Sequence, residues 1–422
     1  MRSPAEGSPA TAARLLLAVT RDRQTSDQAL ARIASTPRIR DTFYGTLRHL
    51  FALRRSVDSA LRNPLASKHE DVYCLMLVGA YQLAFTRVPD HAAINETVAG
   101  CRAIRKPWAR GLVNAVLRQI QRRGLPIECS DAHEHPPWMT ERVRRDFPDQ
   151  ADAIFSANMS RAPMCVRVNG SLVANDVYKR QLDDSGIPHT DGFQPEFVIL
   201  ATPMPAAQLP GFAEGLASVQ DAGAGFVADI LTPEPRSRVL DACAAPGGKL
   251  FHLTERFPDA VFVAVDASAT RLEQMEAEAA RLRHKVYAVH GDATELSWWD
   301  GQPFDRILLD TPCSGSGTLR RHPDIRLLRE ASDLEGYARL QRRLLTNLWQ
   351  TLRPGGNLLY CTCSLFAEEN DQVIAAFLNA ADDATTSPLS LASGVPRAHG
   401  WQLLPTESRT DGFYYALLSK QT

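Results

Sequence analysis

The sequence predicts an α/β protein with a doubly wound, mostly parallel sheet, preceded by an all-helical domain and a small α+β segment. Apolar residues recur at helical spacing up to about residue 124, and helical and strand-like stretches mix between residues 140 and 225. From Ser237 onwards, apolar strands alternate with helices. The 422-residue length accommodates two or three domains of about 100–200 residues each. We expect domains at residues 10–128, 140–225 and 226–422.

The N-terminal third is predicted to be a helical domain with a basic surface. Residues 1–150 contain 23 Lys and Arg against 15 Asp and Glu, a net charge of +8 that leaves −9 for the remainder of the chain. The last predicted helix of this domain ends at Gly124 and carries Arg110, Arg118, Arg122 and Arg123. A basic face suits a polyanionic partner, although arginines on a solvated helix face explain the charge equally well.

Two further regions follow along the chain. Between residues 140 and 225 we predict a short helix, a strand at Met164–Asn169 and a helix at Asn175–Gly186. The next region contains five apolar stretches separated by helical ones, the pattern of a parallel sheet. Those predicted strands are Arg238–Cys243, Val261–Asp266, Val286–His290, Arg306–Asp310 and Asn357–Cys361. Residues Ala381–Gly394 are predicted to form a loop.

The first strand of the sheet runs into a turn that is rich in small residues, Asp241–Lys249. Two glycines at the start of the next helix allow the backbone to approach a ligand closely. The turn lacks the first glycine of a phosphate-binding loop, where Cys243 stands, and Leu250 follows Lys249 in place of Ser or Thr. A dinucleotide fingerprint is absent from it too. Nucleoside triphosphate and nicotinamide chemistry are therefore disfavoured.

A series of carboxylates marks the ends of four successive predicted strands: Asp241, Asp266, Asp292 and Asp310. Ligands of open parallel sheets bind at the carboxyl ends of the strands. Asp266, 25 residues after Asp241, fits a group that accepts both hydroxyls of a ribose. Asp292 is placed to accept a hydrogen bond from an adenine amino group. Helix capping explains any single one of these residues equally well.

The eight cysteines, at positions 74, 101, 129, 165, 243, 313, 361 and 363, lack the dense spacing of a secreted disulfide scaffold. We expect a reduced, cytoplasmic protein with no membrane segment. Cys313 follows the fourth predicted strand and Cys363 the fifth, so both thiols should approach the ligand edge. A structural zinc site is disfavoured because its usual paired C-x(2–4)-C motifs are absent. The C-x-x-C motif of thiol redox proteins is absent as well.

Several blocks together resemble the RNA 5-methylcytosine methyltransferases of the RsmB/Sun (Fmu) type. The blocks are Asp241–Lys249, Asp310–Gly317, Leu319–Arg326 and Thr362–Ser364, with Ser218–Ala222 upstream and Asp411–Ala416 downstream. The resemblance extends over nearly the whole chain from about residue 10. It implies a class I S-adenosylmethionine methyltransferase domain of Rossmann-like fold and, in the helical Leu112–Arg118 region, a NusB-like RNA-binding domain.

The resemblance also implies roles for individual residues. Cys363 would be the nucleophile, and Cys313 would aid release of the methylated RNA. S-adenosyl-L-methionine would be held by Cys243, Ala244, Ala245, Pro246, Gly247, Gly248 and Lys249 together with Asp266, Asp292 and Asp310. The expected partner is small-subunit ribosomal RNA, with no metal, and we expect a monomer. Arg320, Arg321 and Arg326 are candidates for phosphate contacts, although a solvated helix start is an equal alternative.

A cysteine pair suits this chemistry because carbon 5 of cytosine becomes nucleophilic only after a thiolate adds at carbon 6. An extra thiol, Cys361, lies two residues before Cys363 and on the same side of a strand that continues that far. Two other functions stay open. One is transfer RNA cytosine methylation, and the other is a non-catalytic RNA-binding assembly or antitermination factor.

Overall fold

A computed structural model describes residues 8–124, 130–406 and 409–422. The chain divides into two compact units, one of Met1–Arg161 with Leu319–Ala331 and one of Ala162–Thr318 with Ser332–Thr422. The expected domain end at residue 128, like Cys129, lies outside the described residues. The three domain boundaries therefore stay a prediction.

The described ranges contain sixteen α-helices. In chain order they are α1 Ser8–Thr20, α2 Ser26–Arg32, α3 Pro37–Arg48, α4 Leu50–Ala60, α5 Glu70–Phe85, α6 Asp90–Ala103, α7 Arg110–Arg123, α8 Pro137–Asp146, α9 Ala151–Met159, α10 Asn175–Asp184, α11 Ala222–Leu231, α12 Gly248–Arg256, α13 Ala269–Leu282, α14 Ile325–Leu328, α15 Asp333–Trp349 and α16 Asp371–Leu378. All of them are too short or too polar to cross a bilayer, within the part of the chain that is described.

The same ranges contain thirteen strands. They are β1 Met164–Val168, β2 His189–Asp191, β3 Phe197–Leu200, β4 Ala217–Val219, β5 Arg238–Ala242, β6 Val261–Asp266, β7 Tyr287–His290, β8 Phe304–Asp310, β9 Leu352–Thr362, β10 Ala384–Ser387, β11 Val395–Pro396, β12 Trp401–Leu403 and β13 Phe413–Lys420. The predicted loop Ala381–Gly394 is wrong in part, because β10 lies within it and pairs with the long strand β13. Its threonines favour a strand.

The first unit is a helical bundle built around α5. This helix is buried over most of its circumference, since every residue from Cys74 to Gln82 is buried, as expected of a helix at the centre of a bundle. Helices α1, α3, α4, α6 and α7 contribute most of the remaining core side chains. Helix α7 ends where the sequence predicts, because Gly124 adopts a φ of 73° that favours glycine.

A segment that follows Cys313 in the sequence, Leu319–Ala331, completes the helical unit. Leu328 belongs to the hydrophobic core of the helices. The Asp324 carboxylate accepts hydrogen bonds from the backbone N–H of Ser26 at 3.0 Å and from its hydroxyl at 2.9 Å. This segment therefore belongs to the packed interior of the first unit.

Two of the arginines expected at the RNA surface lie in that interior instead. Arg320 and Arg326 are each 2% exposed. The Arg326 guanidinium donates to the carbonyl of Glu134 at 2.7 Å and to that of Arg48 at 3.0 Å. The expectation that Arg320 and Arg326 contact phosphates is wrong, because both side chains are buried and the Arg326 guanidinium donates to carbonyl groups distant in sequence.

The second unit contains the large sheet, whose order is β11-β12-β13-β9-β8-β5-β6-β7. Strands β5 to β9 pair in parallel, and β13 pairs antiparallel with β9. Alternate residues of β5 face different cores: Val239 packs with α11, α12 and α13, and Leu240 packs with α15 and α16. Helices on both faces of a mostly parallel sheet confirm the doubly wound fold.

A small antiparallel sheet of order β2-β3-β1-β4 belongs to the same unit. Arg167 of β1 connects this sheet to α12 through hydrogen bonds. The guanidinium pairs with Glu255 through two hydrogen bonds of 2.7 Å, and it also bonds the Gln220 side chain. It donates to the carbonyl of Gly248, the first residue of α12, at 2.7 Å. Arg167 and Glu255 are almost completely buried. The small sheet thereby fixes the beginning of α12.

We predict that Arg167→Ala lowers the free energy of unfolding by about 3–5 kcal/mol, because it leaves the buried Glu255 carboxylate without its main partner. Urea titration measures this loss. Arg180→Ala is the matched control, since Arg180 forms an exposed pair with Asp176 on α10 that is worth about 0.3–0.5 kcal/mol. Equal losses in the two variants would contradict the prediction.

Candidate active site

The carboxyl ends of the five parallel strands form one edge of the large sheet, and the predicted site residues lie along it. Asp241 is the penultimate residue of β5, and Asp266 and Asp310 are the last residues of β6 and β8. Asp292 follows β7 by two residues, and Cys363 follows β9 directly. The fold therefore brings these five residues to a common edge.

The turn from β5 to α12, residues 243–249, has an unusual backbone. Cys243 has a φ of +65° and Gly247 a φ of +98°, and the Ala245–Pro246 peptide is cis. A Cβ on Gly247 would lie 2.5 Å from the Phe251 ring, so only glycine fits. A Cβ on Gly248 would meet nothing closer than Gln220 at 3.7 Å, which leaves space beside the helix N-terminus for a ligand.

Asp266 is buried and holds this turn in place. Its carboxylate accepts hydrogen bonds from the backbone N–H of Ala245 at 3.1 Å and of Ser268 at 2.9 Å. The guanidinium of Arg271 also donates to both oxygens, at 2.8 and 2.6 Å. Because the Arg271 side chain is half exposed, a ligand with two hydroxyls could replace it on Asp266.

Asp292 differs from Asp266 because it is exposed. Its carboxylate accepts a hydrogen bond from the backbone N–H of Thr294 at 2.8 Å. Hydrogen bonds from Thr294 lower the pKa of Asp292, so the side chain is an ionised acceptor beside the strand edge.

Asp241 is buried near the end of β5, and no specific role is predicted for it from the sequence. The side chain is 2% exposed, and its Oδ1 has no hydrogen-bond partner among the described residues. Burial, reinforced by the nearby Asp310 charge, raises its pKa well above the usual range. A buried carboxyl group with an unused polar atom is suited to meet a ligand.

Lys249 and Asp310 form an ion pair between the turn and the end of β8. The Lys249 Nζ lies 2.7 Å from Asp310 Oδ2 and 5.3 Å from the centre of the Phe413 ring. Burial opposes the charged form of Lys249, but Asp310 and the nearby cysteines together outweigh it, and the pKa of the ammonium group is raised. Lys249 is therefore a fixed positive charge in the site.

Cys313 and Cys363 face each other across the loops that follow β8 and β9. Their Sγ atoms are 3.4 Å apart, and both side chains are half-buried. The hydrogen bond with Cys363, followed by burial, raises the pKa of the Cys313 thiol well above its usual range. Cys313 therefore keeps its proton, and either sulfur can be the donor in the contact between the two thiols.

Cys361 lies on the same side of β9 but is 0% exposed and belongs to the hydrophobic core. Burial raises the pKa of its thiol well above the usual range. The third thiol is thus a buried side chain of the core, whereas Cys313 and Cys363 are half-buried.

Sequence reasoning missed Glu369, which lies close to both cysteine loops. Its side chain is 0% exposed, although it carries a carboxylate. A run of two glutamates after the Thr-Cys-Ser block was the available signal, but nothing in the sequence distinguishes the buried Glu369 from the half-buried Glu368. Within the described ranges, no group of three His, Cys, Asp or Glu side chains has a metal-binding arrangement.

Three family models match the chain. The model described as 16S rRNA methyltransferase RsmB/F matches residues 228–419. The NusB family model matches residues 9–122, and a model of the Methyltr_RsmF/B-like, ferredoxin-like domain matches residues 135–207. The three matches fall on the large sheet, the helical region and the segment that includes the first strands of the small sheet.

Individual proteins agree with these matches. The chain is 44% identical to the ribosomal RNA small subunit methyltransferase B of Vibrio cholerae serotype O1 over 391 residues. The aligned residues cover 91% of this chain and 89% of that protein. A crystal structure of a methyltransferase homologue from Pyrococcus horikoshii is 29% identical, with a TM-score of 0.61 over 72% of this chain and 98% of that one. NSun6 from Pyrococcus horikoshii, crystallised with SFG, is 21% identical and shares the fold, with a TM-score of 0.62 over 68% of this chain and 98% of that one.

Proposed function

Because this chain belongs to the 16S rRNA methyltransferase RsmB/F family, we propose that it methylates carbon 5 of a cytosine in small-subunit ribosomal RNA. Membership confirms the resemblance inferred from the sequence and makes the chain an RNA methyltransferase. The observation that carries the finer proposal is the pair of thiols, Cys313 and Cys363, whose Sγ atoms lie 3.4 Å apart at the ligand edge of the sheet. A ribosomal RNA substrate also supports a cytoplasmic location.

S-adenosyl-L-methionine fits the residues at this edge. The space beside Gly248 adjoins a helix N-terminus, which favours a carboxylate group. Asp266 can accept two ribose hydroxyls once Arg271 moves, and the exposed Asp292 can accept from an adenine amino group. The unused Oδ1 of Asp241 offers a further polar contact. A structure of this fold crystallised with SFG also supports a cofactor of this class.

Cys363 is the proposed nucleophile. Its thiol gives up a proton to solvent water, and the resulting thiolate adds to carbon 6 of cytosine. A sulfur–carbon bond forms, the double bond between carbons 5 and 6 opens, and carbon 5 becomes nucleophilic. Two neighbours of that sulfur suit this step: the S–H of Cys313, which can donate to it across 3.4 Å, and the ammonium group of Lys249, which interacts with it electrostatically. The bound cofactor supplies the methyl group on a sulfonium.

Cys313 is proposed to aid release of the product. After methylation, a water molecule takes the proton from carbon 5, the double bond between carbons 5 and 6 re-forms, and Cys363 leaves as a thiolate. The retained proton of Cys313 stabilises that leaving thiolate by a hydrogen bond. One cysteine therefore attacks and the other holds a proton, which agrees with the different roles implied by the sequence.

Helix α7 is the proposed RNA-contacting surface of the helical unit. Arg110, Arg118, Arg122 and Arg123 are all exposed on it. A groove beside the helix is lined by Arg62, Arg118 and Arg122 together with Asn63 and Asn114. Guanidinium and amide groups along a groove are suited to phosphates.

The proposed function is tested by incubating the protein with radiolabelled S-adenosyl-L-methionine and unmodified 16S ribosomal RNA, with transfer RNA in a parallel reaction. We expect label in 16S RNA only, and nuclease digestion should recover it as 5-methylcytosine. Label on another base would overturn the proposed chemistry, and label in transfer RNA alone would overturn the proposed substrate. No label in either RNA would support the non-catalytic alternative.

Replacement of single cysteines tests the proposed roles. We expect Cys363→Ala to form no covalent RNA adduct and no product, and Cys313→Ala to accumulate adduct because the leaving thiolate loses its hydrogen-bond donor. Denaturing gel electrophoresis with labelled RNA detects the adduct. Cys361→Ala is the matched control and should behave as the wild type, since Cys361 is buried. If Cys363→Ala methylates at the wild-type rate, Cys363 is not the nucleophile and Cys361 becomes the next candidate.

Charge removal from α7 tests the RNA surface. We expect the variant with both Arg118→Ala and Arg122→Ala to bind RNA more weakly. A plot of the logarithm of the association constant against the logarithm of the salt concentration should become less steep, by roughly 0.7–0.9 for each lost phosphate contact. Filter binding over a range of salt concentrations measures the slope. Arg32→Ala removes an exposed charge from α2 and should leave the slope unchanged. An unchanged slope in the double variant would place RNA elsewhere.

A further inference from the structure

Glu369 is a buried carboxylate that joins the two cysteine loops. One carboxylate oxygen, Oε1, accepts a hydrogen bond from the backbone N–H of Ser314 at 2.7 Å. The other, Oε2, accepts from the hydroxyl of Ser314 at 2.6 Å and from that of Ser364 at 2.6 Å. Ser314 directly follows Cys313, and Ser364 directly follows Cys363. A single side chain therefore contacts both loops at the residue next to each thiol.

Burial of the Glu369 carboxylate is energetically unfavourable, because it removes a charged group from water. Its side chain is 0% exposed, and none of the described residues forms an ion pair with it. Burial raises its pKa, while the hydrogen bonds from Ser314 and Ser364 oppose that effect. A buried charge with only hydroxyl and amide partners is a weak source of stability. Groups of this kind are common where a protein fixes the geometry of a reactive site.

The serine hydroxyls that contact Glu369 also hold the backbone of the Cys363 loop through hydrogen bonds. Because the hydroxyl of Ser364 donates to Glu369, its oxygen is available to accept the backbone N–H of Phe366 at 3.1 Å. Ser316 adds a second link between the loops, since its oxygen lies 3.1 Å from that of Ser364 and accepts the N–H of Leu365 at 2.9 Å. The direction of these hydrogen bonds depends on an acceptor at position 369.

The other side of the cluster is fixed by Gln341 of α15. Its side-chain amide donates to the carbonyl of Pro312 at 2.9 Å and to Glu369 Oε1 at 3.4 Å. The residue before Cys313 and the residue after it are therefore both anchored to the same cluster. The carboxylate charge also contributes to the retained proton of Cys313, because it is one of the groups that raise the pKa of that thiol.

We propose that Glu369 is a positioning residue that sets the separation of the Cys313 and Cys363 thiols by holding Ser314 and Ser364 on one carboxylate. The proposal deepens the proposed function and rests on it for the roles of the two cysteines. The separation itself can be measured without any methyl transfer.

The first variant is Glu369→Gln, which keeps the size of the side chain but replaces one of its two acceptor oxygens with a donor. The remaining oxygen can accept either the two serine hydroxyls or the backbone N–H of Ser314, but not all three, so one part of the bridge is lost. A displacement of about 1 Å in reacting groups costs on the order of 10²-fold in rate. We expect kcat to fall by that factor while the KM for S-adenosyl-L-methionine is unchanged, because the cofactor residues at the ends of β5 and β6 are untouched.

The second readout is the rate at which diamide links Cys313 to Cys363. Diamide takes up the two electrons and two protons that two thiols release when a disulfide forms, and mass spectrometry of the linked peptide follows the reaction. We expect slower linkage in Glu369→Gln than in the wild type. Glu276→Gln, which removes an exposed carboxylate from α13, is the matched control and should react at the wild-type rate.

The serine variants decide the outcome if Glu369→Gln does not fold. Ser314→Ala and Ser364→Ala each remove one link, and each should slow both turnover and disulfide formation. Their effects should be less than additive with that of Glu369→Gln, because all three remove the same bridge. Wild-type linkage rates and wild-type kcat in the serine variants would overturn the proposal. A wild-type protein that methylates no cytosine would overturn the proposed function instead, and the linkage rates would still decide the role of Glu369.

Discussion

The parallel pairing of β8 with β9 is the constraint on which the active site depends. Asp310 pairs in register with Cys361, and the hydrogen bonds continue beyond the strands, from the N–H of Thr311 to the carbonyl of Cys361 at 3.1 Å and from the N–H of Gly317 to the carbonyl of Cys363 at 2.8 Å. Adjacent parallel strands end at the same edge. Two cysteines fifty residues apart in the sequence therefore meet, and the ion pair at the end of β8 lies beside them.

Much of this arrangement follows from local patterns. Alternating strands and helices predict the doubly wound sheet, and acidic residues at strand ends predict its ligand edge, because both signals depend on neighbouring residues. Strand limits were less accurate. Strand β9 begins at Leu352 rather than at the predicted Asn357, since it includes Pro354, Gly355 and Gly356, which are residue types that normally interrupt a strand.

The remaining features depend on partners that are distant in sequence. Arginines near the Pro-Cys block suggest an exposed basic surface, yet Arg326 is buried and donates to the carbonyls of Arg48 and Glu134. The role of Glu369 is equally invisible, because its meaning comes from the serines of two separate loops. A single sequence reports the chemistry of a side chain but not the acceptors or donors that the fold brings to it.

The segment Leu319–Ala331 has a consequence for how the helical unit can be prepared. A helical unit that is completed by residues encoded after the Pro-Cys block is not contained in one uninterrupted stretch of the chain. Leu328, Asp324 and Arg326 serve the helical bundle, whereas the residues immediately before and after the segment belong to the sheet unit. A fragment that ends at Arg161 would therefore lack the Leu328 side chain in its core and the Asp324 carboxylate that accepts from Ser26.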